Sequence, residues 1–261
     1  MQDRMTKWPV LLVHGLFYRE DYWGRVPGVL RREGAVVLCP RHQSTARVAQ
    51  SGGQLARLIR EAAGEGGKVN LIAHSKGGLD SRWAISREGA APYVASLTTV
   101  NTPHRGCLFV DKLLEKLPRP LQRSIAAGYD AALEPVEGLA PDFFGAVEDL
   151  TAAACAGFNR EVPDAPGVFY QSAGSRLERA AGGRSPMGLS QLFIQGLDGP
   201  NDGLVAESSF PWGEAYTLLT SEDGRGVSHE DVTDLWKREI PGVDVPGFYR
   251  GLVLGLGERG L

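Results

Sequence analysis

The chain has 261 residues, enough for one large α/β domain or two small ones with a substantial core, and its 43% hydrophobic and 23% charged residues are ordinary for a globular protein. A net charge of -3 argues against nucleic acid or an anionic membrane as the main partner. No apolar run approaches the ~20 residues of a membrane span, and the widely spaced Cys39, Cys107 and Cys155 make neither a disulfide framework nor a zinc site.

The N-terminal MQDRMTKW leads straight into an apolar segment, without a basic region followed by a leader-like apolar one. A cytoplasmic location is the expectation, with secretion as the alternative if the chain has been trimmed. PVLLV (9–13) predicts the first strand, DYWGRVPGVLRREG (21–34) a helix, and AVVLC (35–39) the second strand. A helix follows over 51–63, opened by Ser51 and Gln54 at capping-box spacing. VNLIA (69–73), a helix in LDSRWAISREG (79–89) and VASLTTV (94–100) continue the alternation. The runs are continuous rather than alternating, as in strands buried on both faces of a parallel sheet.

Residues 107–165 break the pattern. LFVDKLLEKL, PLQRSIAAGYDAAL and FFGAVEDLTAAACAGFN all predict helices, separated by Pro118, Pro120, Pro135 and Pro141. They are expected to form a helical cap or lid inserted into a single domain that spans 1–261, ordinary packing helices being the alternative. VFYQSA (168–173), a helix in MGLSQLFIQG (187–196) and AYTLLT (215–220) complete a mostly parallel, doubly wound α/β sheet of about six strands with helices on both faces.

The pattern small-x-Ser-x-Gly occurs twice, as AQSGG (49–53) and AHSKG (73–77). Ser51 follows a polar stretch and reads as a helix N-cap. Ser75 directly follows the buried-strand run VNLIA and opens a helix, which is the strand–turn–helix setting of a nucleophile elbow. Its first small residue is Ala73 rather than glycine. A serine hydroxyl needs a base, and the base needs an orienting carboxylate.

The chain has five histidines, so elimination works. His74 diverges from the hydroxyl beside it, and His14 and His42 come too early in the chain. His104 in NTPHRG is a competitor. His229 in GVSHEDV lies late enough to leave an acid between it and Ser75, in the chain order Ser, Asp, His. Asp202, in the turn chemistry of NDGLV, is the favoured acid and Asp198 the runner-up. Two backbone N–H groups should hold the oxyanion, one from Lys76 and one from Leu16 in VHGLF. The Lys76 side chain reads as a solvated charge, and Gly15 as the residue that lets the loop turn sharply.

VLLVHGL, VNLIAHSKGG, SLTTVNTPHRG, NDGLV and a late SHED, in this order, resemble the bacterial α/β-hydrolase lipases and esterases, most of all the true-lipase group. The resemblance spans nearly the whole chain. It implies hydrolysis of carboxylic esters, often acylglycerols, through an acyl-enzyme on Ser75, with His229 as base and Asp202 orienting it. It implies a small-molecule ester or lipid substrate, no nucleic acid, and transient contact with a lipid interface through the lid. An acyltransferase or thioesterase would use the same three residues, whereas a non-catalytic binding module usually lacks one of them.

Secreted members of the group hold a structural calcium beside the histidine, and Asp231 matches one of its ligands. Where a second aspartate is expected this chain has Gly182, and Glu178 is the only acidic residue between 174 and 197. One carboxylate is a weak calcium site, so the expectation is that no cofactor is required, with a structural calcium at Asp231 as the alternative.

Overall fold

The computed structural model describes every residue except 1–4, 18–20, 126, 129–140, 179–186 and 222–223. Among the described residues six strands form one sheet: β1 (Val10–Val13), β2 (Val37–Leu38), β3 (Val69–His74), β4 (Val94–Val100), β5 (Phe169–Ser175) and β6 (Ala215–Leu219). Their order is β2-β1-β3-β4-β5-β6, and every neighbouring pair is parallel. The all-apolar runs lie where parallel pairing buries both faces: every residue of β1, β3 and β4 is buried, while the edge strand β6 is not.

Helices α1 (Val26–Arg32) and α8 (Val245–Glu258) pack together, as do α2 (Val48–Ala63) and α3 (Lys76–Arg87). The two largest core clusters among the described residues result. Leu12, Ile72, Trp23 and Tyr249 belong to one, and Leu11, Leu71, Leu55 and Ile59 to the other. Alternate residues of β1 and β3 thus point to opposite faces, as the strand period requires.

The strand order reverses between β1 and β3. In an open parallel sheet the crevice outside the carboxyl ends at such a point is where ligands bind. The loop after β1 and the turn after β3 meet there.

Three local readings need correction. The first helix starts at Val26, not Asp21, because Gly24 turns at φ 47 against the Asp234 backbone and Pro27 favours the first helical turn. Helix α2 starts at Val48, so Ser51 is interior rather than a cap. The long helix expected over 143–159 is two helices, α5 (Phe143–Glu148) and α6 (Ala152–Glu161). Thr151 breaks it by capping the Ala154 N–H at 3.3 Å.

Helix α4 spans Leu108–Lys116, a helical stretch follows over 119–125, and α7 spans Met187–Asp198. Part of the helix expected over 120–133 lies outside the described residues. Helix α6 is anchored to α3: the Arg82 guanidinium donates to Asn159 Oδ1 at 2.8 Å and to the Val162 carbonyl at 3.1 Å.

Candidate active site

Ser75 stands one residue past β3 at φ 54, ψ -132, a left-handed conformation that costs a non-glycine residue about 1–3 kcal/mol. The surroundings over-determine it. Its N–H donates to the Val100 carbonyl at 2.9 Å, and its own carbonyl accepts from Gly78 N–H at 3.0 Å and Thr102 Oγ1 at 2.9 Å. The small residues are required by clearance. A Cβ on Gly77 would sit 2.3 Å from the His14 carbonyl oxygen, and one on Gly78 would sit 2.1 Å from Thr102 Oγ1. Ala73 is fully buried among core residues, so its methyl is accommodated.

His229 follows β6, and its Nε2 lies 3.0 Å from Ser75 Oγ. Its Nδ1 lies 2.6 Å from Asp202 Oδ2. Because a carboxylate can only accept there, Nδ1 carries the proton and Nε2 is free to accept one from the serine. Asp202 is fully buried. Its Oδ1 accepts from the Leu204 and Val205 N–H groups at 2.9 and 2.8 Å, and its backbone carbonyl accepts from His229 N–H at 2.8 Å. The acid and base loops are therefore joined twice.

The remaining candidates are elsewhere. Asp198 is exposed at the end of α7. His104 is buried, with Nδ1 facing Arg82 at 3.2 Å and Nε2 facing Thr99 Oγ1 at 2.9 Å, and burial beside Arg82 holds its pKa well below the usual range. His74 turns away from the hydroxyl to meet Tyr22 OH at 2.7 Å, but its ring centroid lies 4.6 Å from that of His229.

Two residues, Asn101 and Tyr22, were missed as parts of the site, and the side chain of Lys76 was misread. Asn101, at φ 48 just past β4, donates to Asp202 Oδ2 at 2.6 Å and to Ser175 Oγ at 2.7 Å. Its signal was an asparagine directly after a buried strand, a residue type that tolerates the left-handed region. Tyr22, inside the expected first helix, accepts the Gly15 N–H at 2.9 Å. Lys76 is fully buried: its ammonium donates to Asp80 Oδ1 at 2.7 Å and Ser51 Oγ at 3.0 Å, which corrects the reading of a solvated charge. Gly15 is needed for close approach rather than for its φ, since a Cβ there would sit 2.7 Å from Tyr22 OH and 2.9 Å from Ser75 Cβ.

Asp231 does not fit a calcium ion. Its Oδ2 accepts from Ser228 Oγ at 2.8 Å and from the Arg225 guanidinium at 3.1 Å, and a cation on that oxygen would repel a divalent one. Among the described residues no cluster of three His, Cys, Asp or Glu side chains could hold a metal.

Ser75 and His229 open into a cavity of about 560 Å³, walled by Leu16, Val110, Leu113, Phe143, Val147 and Val205. A more open cleft of about 800 Å³ beside the start of β5 and β6 includes Asp164, Trp212 and Glu214 but no serine, histidine or cysteine. The apolar cavity with a nucleophile at its base is the candidate site.

No family profile matches the chain. It is 34% identical over 178 residues to a triacylglycerol lipase of Pseudarthrobacter phenanthrenivorans, a match covering 61% of this chain and 55% of that protein. A triacylglycerol lipase of Burkholderia plantarii is likewise 34% identical over 178 residues, covering 61% of this chain and 49% of that one. The chain thus spans about half the length of these curated relatives. The mature form of a Bacillus licheniformis lipase superimposes with a TM-score of 0.72 at 22% identity, covering 95% of this chain and 92% of that one. The fold is that of the α/β-hydrolases.

Proposed function

We propose that the protein is a serine hydrolase that cleaves carboxylic esters, acylglycerols among them, through an acyl-enzyme on Ser75. The observation that carries this reading is the chain Ser75 Oγ–His229 Nε2 at 3.0 Å and His229 Nδ1–Asp202 Oδ2 at 2.6 Å, set at the base of an apolar cavity. His229 takes the hydroxyl proton as Ser75 attacks the ester carbonyl, and then delivers it to the departing alcohol. Buried Asp202, fixed by Asn101 and two backbone N–H groups, holds the imidazole in the productive tautomer and stabilises its charged form. Water, activated by the same histidine, then releases the acid. The N–H groups of Leu16 and Lys76 bind the oxyanion, and losing one such donor typically costs ~10²–10³ in rate.

The apolar wall suits an acyl chain, in keeping with the triacylglycerol lipases the chain resembles. Helices α4 and α5 contribute Val110, Leu113, Phe143 and Val147 to that wall, and in this reading they act as the lid that meets a lipid surface. A fluorophosphonate probe tests the proposal. It should label the native protein and fail to label Ser75→Ala, with p-nitrophenyl ester hydrolysis lost in parallel. Full labelling of Ser75→Ala would overturn it.

A further inference from the structure

We propose that a buried chain of polar groups, His14, His42, Asp80 and the Lys76 ammonium, aims the two oxyanion donors, so that His14 and the Lys76 side chain are positioning residues for ester hydrolysis. The inference rests on the reading of Leu16 and Lys76 as those donors.

One end of the chain acts on Leu16. His14 Nε2 accepts the backbone N–H of His42 at 3.3 Å, which leaves the ring proton on Nδ1. Nδ1 then donates to the Gly15 carbonyl at 2.8 Å. That carbonyl and the Leu16 N–H belong to one planar trans peptide and point in opposite directions. Holding the carbonyl therefore aims the N–H. The Gly15 N–H is separately held by Tyr22 OH at 2.9 Å, so the peptides on both sides of Gly15 are clamped by buried side chains.

The other end acts on Lys76. Its ammonium is pinned between Asp80 Oδ1 at 2.7 Å and Ser51 Oγ at 3.0 Å, with no exposure of either charged side chain. This ties the first residue of α3, whose N–H is the second donor, to the next turn of its own helix and to α2. The two ends meet through His42. Its Nε2 faces Asp80 Oδ2 at 3.2 Å, and its ring lies 4.3 Å from that of His14. His42 is neutral, since burial and the Lys76 charge hold its pKa at about 3, so its contact with Asp80 is a hydrogen bond rather than an ion pair. A buried ion pair adds little stability over well-packed apolar side chains. What it supplies is fixed geometry at the residue beside the nucleophile.

The test uses a soluble p-nitrophenyl ester and an alkylboronic acid, which adds to Ser75 Oγ and presents a tetrahedral anion to the donors. Three variants are compared with wild type. His14→Leu removes the Nδ1 donor. His14→Asn replaces it, because the amide nitrogen lies close to where Nδ1 lies. The double change Lys76→Met with Asp80→Leu removes both charges together and strands neither. We expect kcat to fall about tenfold to a hundredfold in His14→Leu and in the double variant, short of the ~10²–10³ for outright loss of a donor. KM should stay within about twofold, the mark of an interaction made in the transition state.

The boronate inhibition constant should rise by the same factor as kcat falls, and His14→Asn should recover most of both. Folded variants with unchanged kcat and boronate affinity overturn the inference. So does a His14→Asn variant no better than His14→Leu. Wild type that binds boronate through Ser75 while every variant binds it equally overturns this inference alone. Wild type with no Ser75-dependent hydrolysis overturns the proposed function and this inference with it.

Discussion

Two stretches of the chain, AQSGG at 49–53 and AHSKG at 73–77, spell the same spacing and do different work. In the first, Ser51 lies inside α2 and its hydroxyl donates to the Gln43 carbonyl at 2.6 Å. In the second, Ser75 sits at φ 54 past a buried strand with its hydroxyl 3.0 Å from His229. The common feature is close approach. A Cβ on Gly52 would sit 2.9 Å from the Asp80 carbonyl oxygen of α3, and one on Gly77 would sit 2.3 Å from that of His14. The tight glycine is the last residue of the second stretch but the fourth of the first, whose own last residue, Gly53, meets nothing closer than 3.8 Å. The spacing alone therefore does not fix the packing, and the strand before it decides whether the serine is presented or buried. The two stretches also touch, since the Lys76 ammonium donates to Ser51 Oγ at 3.0 Å.

Exchanging each serine for alanine breaks the comparison hardest. Ser75→Ala should lower ester hydrolysis by about 10⁴–10⁶, with Tm nearly unchanged. Ser51→Ala leaves the buried ammonium one acceptor short, which costs roughly 1–3 kcal/mol. It should keep turnover within about tenfold, because its effect on the site is indirect. Initial rates and denaturant titrations on both variants decide. If Ser51→Ala abolishes turnover in a folded protein, the two serines have been assigned the wrong way round.

Acid should weaken the ground under both stretches at once. His14, His42, His74 and His104 are buried with pKa values pushed below the ordinary 6.5, burial being the main cause. Between 6.5 and the lowered values the unfolded chain binds more protons than the folded one, so stability falls as pH falls, by up to about 1.4 kcal/mol per pH unit for each group. Asp80 works the other way. Burial raises its carboxyl to about 6, so between 6 and its ordinary value near 4 the folded state binds the extra proton and gains stability as pH drops. Four groups outweigh one. Urea midpoints should fall steeply from pH 7 to pH 5, and a flat profile would mean that these imidazoles are not neutral and buried.

The strands and the elbow were legible because each is local, whereas Asp202 and His229 were picked out by chain order, Ser75 and His229 lying 154 positions apart. A buried parallel strand is a run of apolar residues, and an elbow is a strand followed by small residues and a helix. Apart from the Thr151 cap that splits α5 from α6, which is local, the misreadings were tertiary. Ser51 and Gln54 have the spacing of a cap, but Asp149 Oδ2, from a distant loop, accepts the Val48 N–H at 2.7 Å and starts α2 a turn earlier. Lys76 and Asp80 at i,i+4 could be paired from sequence. That the pair is buried depends on Ser51 and His42, which no local pattern brings there. Asn101 was visible only as a residue after a strand, since its partner Asp202 lies 101 positions away.

Adding a methyl sharpens the comparison of the two glycine clearances. Gly77→Ala must displace the backbone carbonyl of His14, on the strand end that leads into the loop proposed to hold the oxyanion. Overpacking costs about 1–3 kcal/mol, and a shift near 1 Å in that loop should cost on the order of 10² in kcat. Gly52→Ala meets Trp83 Cδ1 at 2.7 Å as well as the Asp80 carbonyl, and it pushes α2 away from α3. Its cost should be of the same size in stability, with a smaller loss of rate. Equal kcat losses in the two variants would show that the oxyanion loop is not what Gly77 protects.

The smallest effect has the opposite sign. Gly53, the last residue of AQSGG, lies in the interior of α2, and a Cβ there meets nothing closer than the Glu88 carboxyl group at 3.8 Å. An ordinary helical glycine costs conformational entropy that alanine does not. Gly53→Ala should therefore stabilise the protein by about 0.4–1 kcal/mol, read as a raised urea midpoint with an unchanged slope and unchanged turnover. The glycine beside it, Gly52, carries the packing constraint, so neighbouring positions of one motif should respond to the same methyl group with opposite signs. A destabilised Gly53→Ala variant would mean that α2 packs more tightly on that face than its 3.8 Å clearance indicates.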